Sequence, residues 1–194
     1  MSTNYHEAES FNSLALNSAS LKNHKFIDCS FEGCIFENCK IGSSSFVSCS
    51  FNNCTIINPE SHFSEIKNST FEGCNLIGVV WGELCSAEKF ATPIGTFKNC
   101  CLKYNTFYDM NLIKFNFSGN IIQDSLFEKC NLKESNFRDC RLDKTTFLQC
   151  NLTKADFREA MGYVVDIKTN LMKNARFLFP EVTSLLNTLD IKID

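Results

Sequence analysis

One Trp, four Tyr, three His and three Pro in 194 residues leave this chain short of the side chains that usually mark a catalytic or ligand site. His6, His24 and His62 stand far apart in sequence, and there is no Gly-rich phosphate loop, nucleophile elbow or metal-ligand His pair. No catalytic residue, metal ligand or cofactor is expected, and the chain reads as a non-enzyme. No apolar run approaches the ~20 residues of a membrane-spanning helix. The first ten residues also lack the basic start and apolar core of a signal peptide. These absences point to a cytoplasmic chain with reduced thiols and no membrane partner. A net charge of −3 by itself selects neither nucleic acid nor an anionic surface.

What the chain has instead is Phe and Cys, nineteen of one and twelve of the other. So much Phe beside so little Tyr and Trp implies one kind of position filled repeatedly. In the stretch 125–147, Phe127, Leu132, Phe137, Leu142 and Phe147 recur every five residues, each preceded two places earlier by a small residue. Steps of five scatter around a helix and alternate faces on a strand, so neither regular element can use them. The chain must turn once per pentad, which makes a solenoid. The register runs from Phe11 to Trp81, resumes at Phe97 and continues to Ile167. Of its thirty positions only Ser61 and Gly162 are not large and apolar.

From Phe97 to Phe157, Phe alternates with Leu or Ile. Three pentads per coil would stack Phe on Leu throughout, whereas four give pure columns such as Phe97, Phe117, Phe137 and Phe157. A four-sided coil of twenty residues follows, with about seven coils in a rod roughly 35 Å long. Ten of the twelve Cys occupy the small position, where a compact, easily buried residue suits a tight corner. Zinc sites favour close pairs such as Cys-x-x-Cys, absent here, so these thiols are read as packing.

Two segments depart from the pattern. Trp81 and Phe97 are sixteen apart where five would continue the register, an insertion of eleven residues from Glu83 to Pro93. This reads as a projecting loop. Within it Leu84, Phe90 and Ile94 either anchor a partner, with Glu83, Glu88 and Lys89 as rim, or fold back over the broken corner. The second segment follows Ile167. Pro180 at a first helical position leads into a stripe of Val182, Leu185, Leu186 and Leu189, a short helix that either caps the rod or forms a dimer interface with Ile191. The implied division is a lead-in 1–10, a first repeat block 11–82, a loop 83–96, a second block 97–169 and a cap 170–194.

The thirty units resemble those of the pentapeptide-repeat family, which are centred on Leu or Phe with a small residue two before. The resemblance implies an all-β fold, a right-handed quadrilateral β-helix, here with a projecting loop and a short C-terminal helix. The two blocks, the loop and the closing segment 177–191 resemble the bacterial quinolone-resistance and microcin-immunity proteins. That implies a protein partner, DNA gyrase or topoisomerase IV, met by the loop and by partial mimicry of DNA, and a homodimer through the C-terminal segment. The alternative is a scaffold or regulator with an unrelated protein partner. Mimicry of duplex DNA calls for an acidic rod, and the charge is unevenly placed: residues 1–96 carry five basic and ten acidic side chains, residues 97–160 ten and eight.

Overall fold

The computed structural model describes residues 4–84 and 94–189. Their strands are short, mostly three residues, and every pairing is parallel and joins equivalent positions of successive coils. In the first block the offset is twenty: Phe11 lies under Phe31, Leu16 under Phe36, Leu21 under Ile41 and Phe26 under Phe46. Four strands per twenty residues make a four-sided solenoid. We number its sides by the first-block residues they bury: side one holds Phe26, side two Phe31, side three Phe36 and side four Ile41. The lead-in belongs to the rod as well, because Asn4–Glu7 pairs with His24–Ile27 on side one.

Each side buries its central residue and the small residue two before it, while the flanking positions face solvent. The corner follows two residues after the centre, and there the backbone turns through positive φ. Among the described residues twenty-five non-glycine residues take this conformation, including Ser13, Asn23, Asp28, Asn38 and Asn53. Short polar side chains tolerate the left-handed region because they bond locally, which is why Asn, Asp and Ser crowd the corners of the first block.

The core is an aromatic column. Phe11, Phe31, Phe51 and Phe71 stack on side two with ring centroids 4.7 to 4.9 Å apart. The column crosses the interruption, Phe71 to Phe97 at 5.5 Å, and resumes through Phe117, Phe137, Phe157 and Phe177. Nine rings therefore mark nine layers on this side, and eight steps of about 4.8 Å give a rod of roughly 38 Å. A second column, Phe107, Phe127 and Phe147, fills side four of the second block and meets the first edge-on.

Pairing across the interruption corrects the size of the insertion. Phe71 pairs with Phe97 and Leu76 with Leu102, 26 residues apart. A coil takes twenty, so six residues are extra where the spacing suggested eleven. The difference is a side of the rod: Leu84 lies over Ile66 on side one, its carbonyl accepting the Ile66 N–H at 2.6 Å. Trp81 falls under Phe107 on side four, 6.1 Å between centroids.

The far end holds a second correction. The register does not run unbroken to Ile167. Arg141 pairs with Met161, but Thr145 pairs with Tyr163 and Phe147 with Val165, a slip of two residues. Tyr163 and Val165 are buried in place of Gly162 and Ile167. Gly162 makes the slip feasible: its φ is +76°, and a Cβ there would lie 2.8 Å from Asp143 Cα. The offset of twenty returns at Leu171 and Arg176, which bridge to Asn151 and Asp156. The repeats thus end at Phe177, not at 169. The closing helix is a 3₁₀ helix, Glu181–Leu189, packed against the strand Met161–Val165.

Candidate partner-binding surface

The small inward position proves to be a hydrogen-bonding device. Cys34 Sγ donates to the carbonyls of Phe11 and Glu32 at 3.3 and 3.6 Å, and Cys74 Sγ to those of Phe51 and Glu72 at 3.2 and 3.4 Å. Ser69, Thr145 and Asn105 do the same job, reaching Phe46, Ile122 and Leu76 carbonyls at 3.2, 2.7 and 2.8 Å. Each coil leaves a carbonyl facing the corner, and a buried acceptor without a partner is costly. The thiols are therefore spent on the backbone. Burial pushes Cys49 up to about 11 and Cys140 up to about 12, away from the thiolate that a nucleophile or metal ligand requires. Among the described residues no three His, Cys, Asp or Glu are placed to share a metal ion. Cys85 lies outside them.

Two histidines meet although the sequence separates them. His6 and His24 stack at the N-terminal end, 5.7 Å between centroids. His6 Nδ1 faces Glu9 Oε2 at 3.0 Å and His24 Nε2 faces Asn4 Nδ2 at 2.9 Å. Burial, with the neighbouring His6, holds His24 below the usual imidazole range. His62 stands exposed on side four, two coils higher.

The residues expected to form a partner-binding loop divide into three groups. Leu84 and Ile94 are 3% and 0% exposed, which removes both from the candidate surface. They cover the broken corner instead. Glu83 is exposed and accepts a hydrogen bond from Ser61 Oγ at 3.4 Å. Glu88, Lys89 and Phe90 lie outside the described residues. Next to the interruption the core is unfinished. Ser61 sits where Phe or Leu stands elsewhere, and a part-open apolar cavity of about 30 Å³ lies among Ile41, Phe46, Ile66, Trp81 and Leu84. Trp81 itself is fully packed, its indole N–H donating to Asn105 Oδ1 at 2.9 Å.

The same pentad carries an aromatic residue outside the five-residue register. Phe63 occupies the corner position, with φ +52° and 97% of its surface exposed. A signal was present, since Phe63, Phe90, Phe115 and Phe179 fall outside the five-residue positions. Phe115 turns out to fill a small-residue slot and is buried.

At the C-terminal end Val182, Leu185, Leu186 and Leu189 are all half-buried, and Ile191 lies outside the described residues. Leu185 packs on the core. Glu181 Oε1 accepts the Gly162 N–H at 2.8 Å and ties the helix to the slipped strand. Around this cap Met161, Val164, Leu171, Leu178 and Phe179 remain exposed, Phe179 at 81%. No described helix is long and apolar enough to cross a membrane.

Charge differs along the rod. In the second block the arginines of side two are already tied down, Arg138 to Glu159 at 3.0 Å and Arg158 to Asp156 at 2.6 Å. The Arg158 side chain holds Asp156 below the usual carboxylate range. These pairs leave a groove of mixed sign, lined by Glu134, Lys154 and Arg176 as well.

With this geometry in place, the likenesses to known proteins can be stated. The family model described as pentapeptide repeats matches residues 121–161 in eight copies. No curated protein matches the sequence. A trypsin-treated form of QnrB1, a plasmid-mediated fluoroquinolone resistance protein, superposes with a TM-score of 0.58 at 15% identity, covering 97% of this chain and 99% of that one. HetL, a pentapeptide repeat protein involved in heterocyst differentiation regulation from the cyanobacterium Nostoc, aligns at 11% identity and TM-score 0.39 over 89% of this chain and 84% of its own. The QnrB1 likeness shows the fold from end to end.

Proposed function

We propose that this chain, whose residues 121–161 match pentapeptide repeats, acts as a cytoplasmic, non-enzymatic rod that binds a protein, and that the partner is DNA gyrase or topoisomerase IV. Binding would modulate the enzyme or protect it from quinolone-like poisons. The observation that carries this reading is the match of the whole rod, 97% of this chain against 99% of the other, to a fluoroquinolone resistance protein. Supporting it is the division of the rod into a regular scaffold and the irregular segment 59–84 that precedes the interruption. A packed interior whose thiols are engaged with backbone carbonyls leaves the outer surface to do the work.

The acidic half is the part suited to imitate DNA. Residues 1–96 are net −5 and residues 97–160 net +2, so mimicry is partial and confined to the first block and the loop. Glu83, Glu88, Lys89 and Phe90 remain the loop residues proposed to reach the partner. The exposed apolar group around the C-terminal cap, with Val182, Leu186 and Leu189, is proposed to pair two rods. No cofactor enters the mechanism, and nucleic acid is not contacted directly.

The test is a supercoiling assay with purified gyrase and a fluoroquinolone. Protection or inhibition at micromolar protein supports the reading, and neither effect at that concentration overturns it. Light scattering addresses the dimer separately: a monomer at micromolar concentration removes the C-terminal pairing and leaves the gyrase reading standing.

A further inference from the structure

Phe63 combines two unfavourable features that nothing among the described residues offsets. Its backbone lies in the left-handed region, where a Cβ and a bulky ring are disfavoured. Its ring is 97% exposed, so it covers no apolar neighbour. At the other positive-φ corners of the first block stand Ala8 and small polar residues such as Ser43, Asn53 and Asn68, or Gly33 and Gly73. The aromatic corner residue of the second block, Tyr104, has the Lys103 ammonium over its ring at 4.8 Å. Solitary exposed apolar residues are common on proteins, but an exposed ring on a strained corner is a poorer choice than Asn by both criteria.

Its surroundings indicate what would receive it. Glu65 follows on side one, and Glu83 stands two residues after Trp81 as Phe63 stands two after Ser61, near enough for Ser61 to bond its carboxylate. Glu60 is held by Lys40 at 3.8 Å. By register the ring stands between Glu65 on side one and Glu83 one coil above, with His62 beside it on side four.

We propose that Phe63 is an anchor for a protein partner, inserting its ring into an apolar pocket rimmed by basic side chains. On the functional reading above, on which this proposal rests, the pocket belongs to gyrase. A buried aromatic surrounded by weaker charged contacts is the usual form of an interface hot spot.

The experiment measures binding of the full-length chain to purified gyrase holoenzyme by anisotropy, alongside thermal melting, for wild type, Phe63→Asn and Phe63→Ala. Asn suits the left-handed corner, so Phe63→Asn should melt at the same temperature or higher while gyrase binding weakens tenfold or more. Phe63→Ala should weaken binding similarly. Wild-type binding with both variants within twofold overturns the anchor and leaves the gyrase reading intact. A lowered melting temperature for Phe63→Asn overturns the premise that the ring packs on nothing. Absence of wild-type binding overturns the gyrase reading, and this anchor with it.

Discussion

The coils from Cys100 to Ala160 keep the twenty-residue rule, and the segment from Pro59 to Leu84 leads into the place where it breaks. In the first region each central position holds Phe, Leu or Ile at essentially zero exposure, and the rings of sides two and four interlock edge to face. In the second, Ser61 underfills the core, Pro59 replaces the small donor, Phe63 faces water and Leu84 must reach in from an interruption. The regular coils carry stability and little that a partner could distinguish. The irregular segment gives up packing and gains a projecting ring and a carboxylate pair next to the interruption.

The contrast can be broken most forcefully in the regular region. Phe137 is fully buried between Phe117 and Phe157, 4.8 Å from each. Phe137→Ala should cost about 3–5 kcal/mol, read as a fall in the urea midpoint with an unchanged slope. A loss below about 1 kcal/mol would show that the column is not the main support.

Alkaline titration probes the buried polar groups of the same rod. The folded state holds Cys49 at about 11 and Cys140 and Tyr163 at about 12, raised by burial above their ordinary values of 9.0, 9.0 and 10.0. The unfolded chain therefore releases these protons first. The stability that these three groups contribute should be fully present below pH 9 and be lost between pH 9 and 12, with Cys140 alone contributing on the order of 4 kcal/mol, while Cys54, lowered to about 7 by its hydrogen bond with Cys74, acts in the opposite sense. Melting temperatures that stay flat to pH 11 would contradict this.

Smaller effects of opposite sign are expected where the pattern fails. Ser61→Val, which puts an apolar side chain at a buried core position, should raise stability by about 1 kcal/mol. A loss would mean that the Ser61–Glu83 contact outweighs the added apolar burial. Lys144 takes a corner at φ +58° with an exposed side chain, and Lys144→Asn should gain about 0.5 kcal/mol by relieving the left-handed strain.

Sequence reading recovered the four-sided coil because Phe alternating with Leu allows only one regular stacking with a core inside. It misjudged the interruption because spacing between Trp81 and Phe97 does not reveal how many sides of the coil the intervening residues replace. Leu84, three residues after Trp81, has no pentad signature, yet its backbone takes the place of a whole side. The slip at Gly162 was hidden for the same reason: Gly162 and Ile167 hold the numerical register while Tyr163 and Val165 take the space. Counting small residues identified the Cys slot, but their role as donors to a carbonyl one coil below depends on the stacking itself. Phe63 was overlooked because periodicity draws attention to residues inside the register, whereas exposure and φ mark those outside it.

The central claim is that the rod recognises its partner where the repeat fails. Hydrogen–deuterium exchange of the full chain with and without gyrase tests it most directly. The expected result is slowed exchange in peptides covering residues 57–84 on complex formation, with those covering 120–160 unchanged. Protection confined to 120–160, with 57–84 unaffected, would contradict the account.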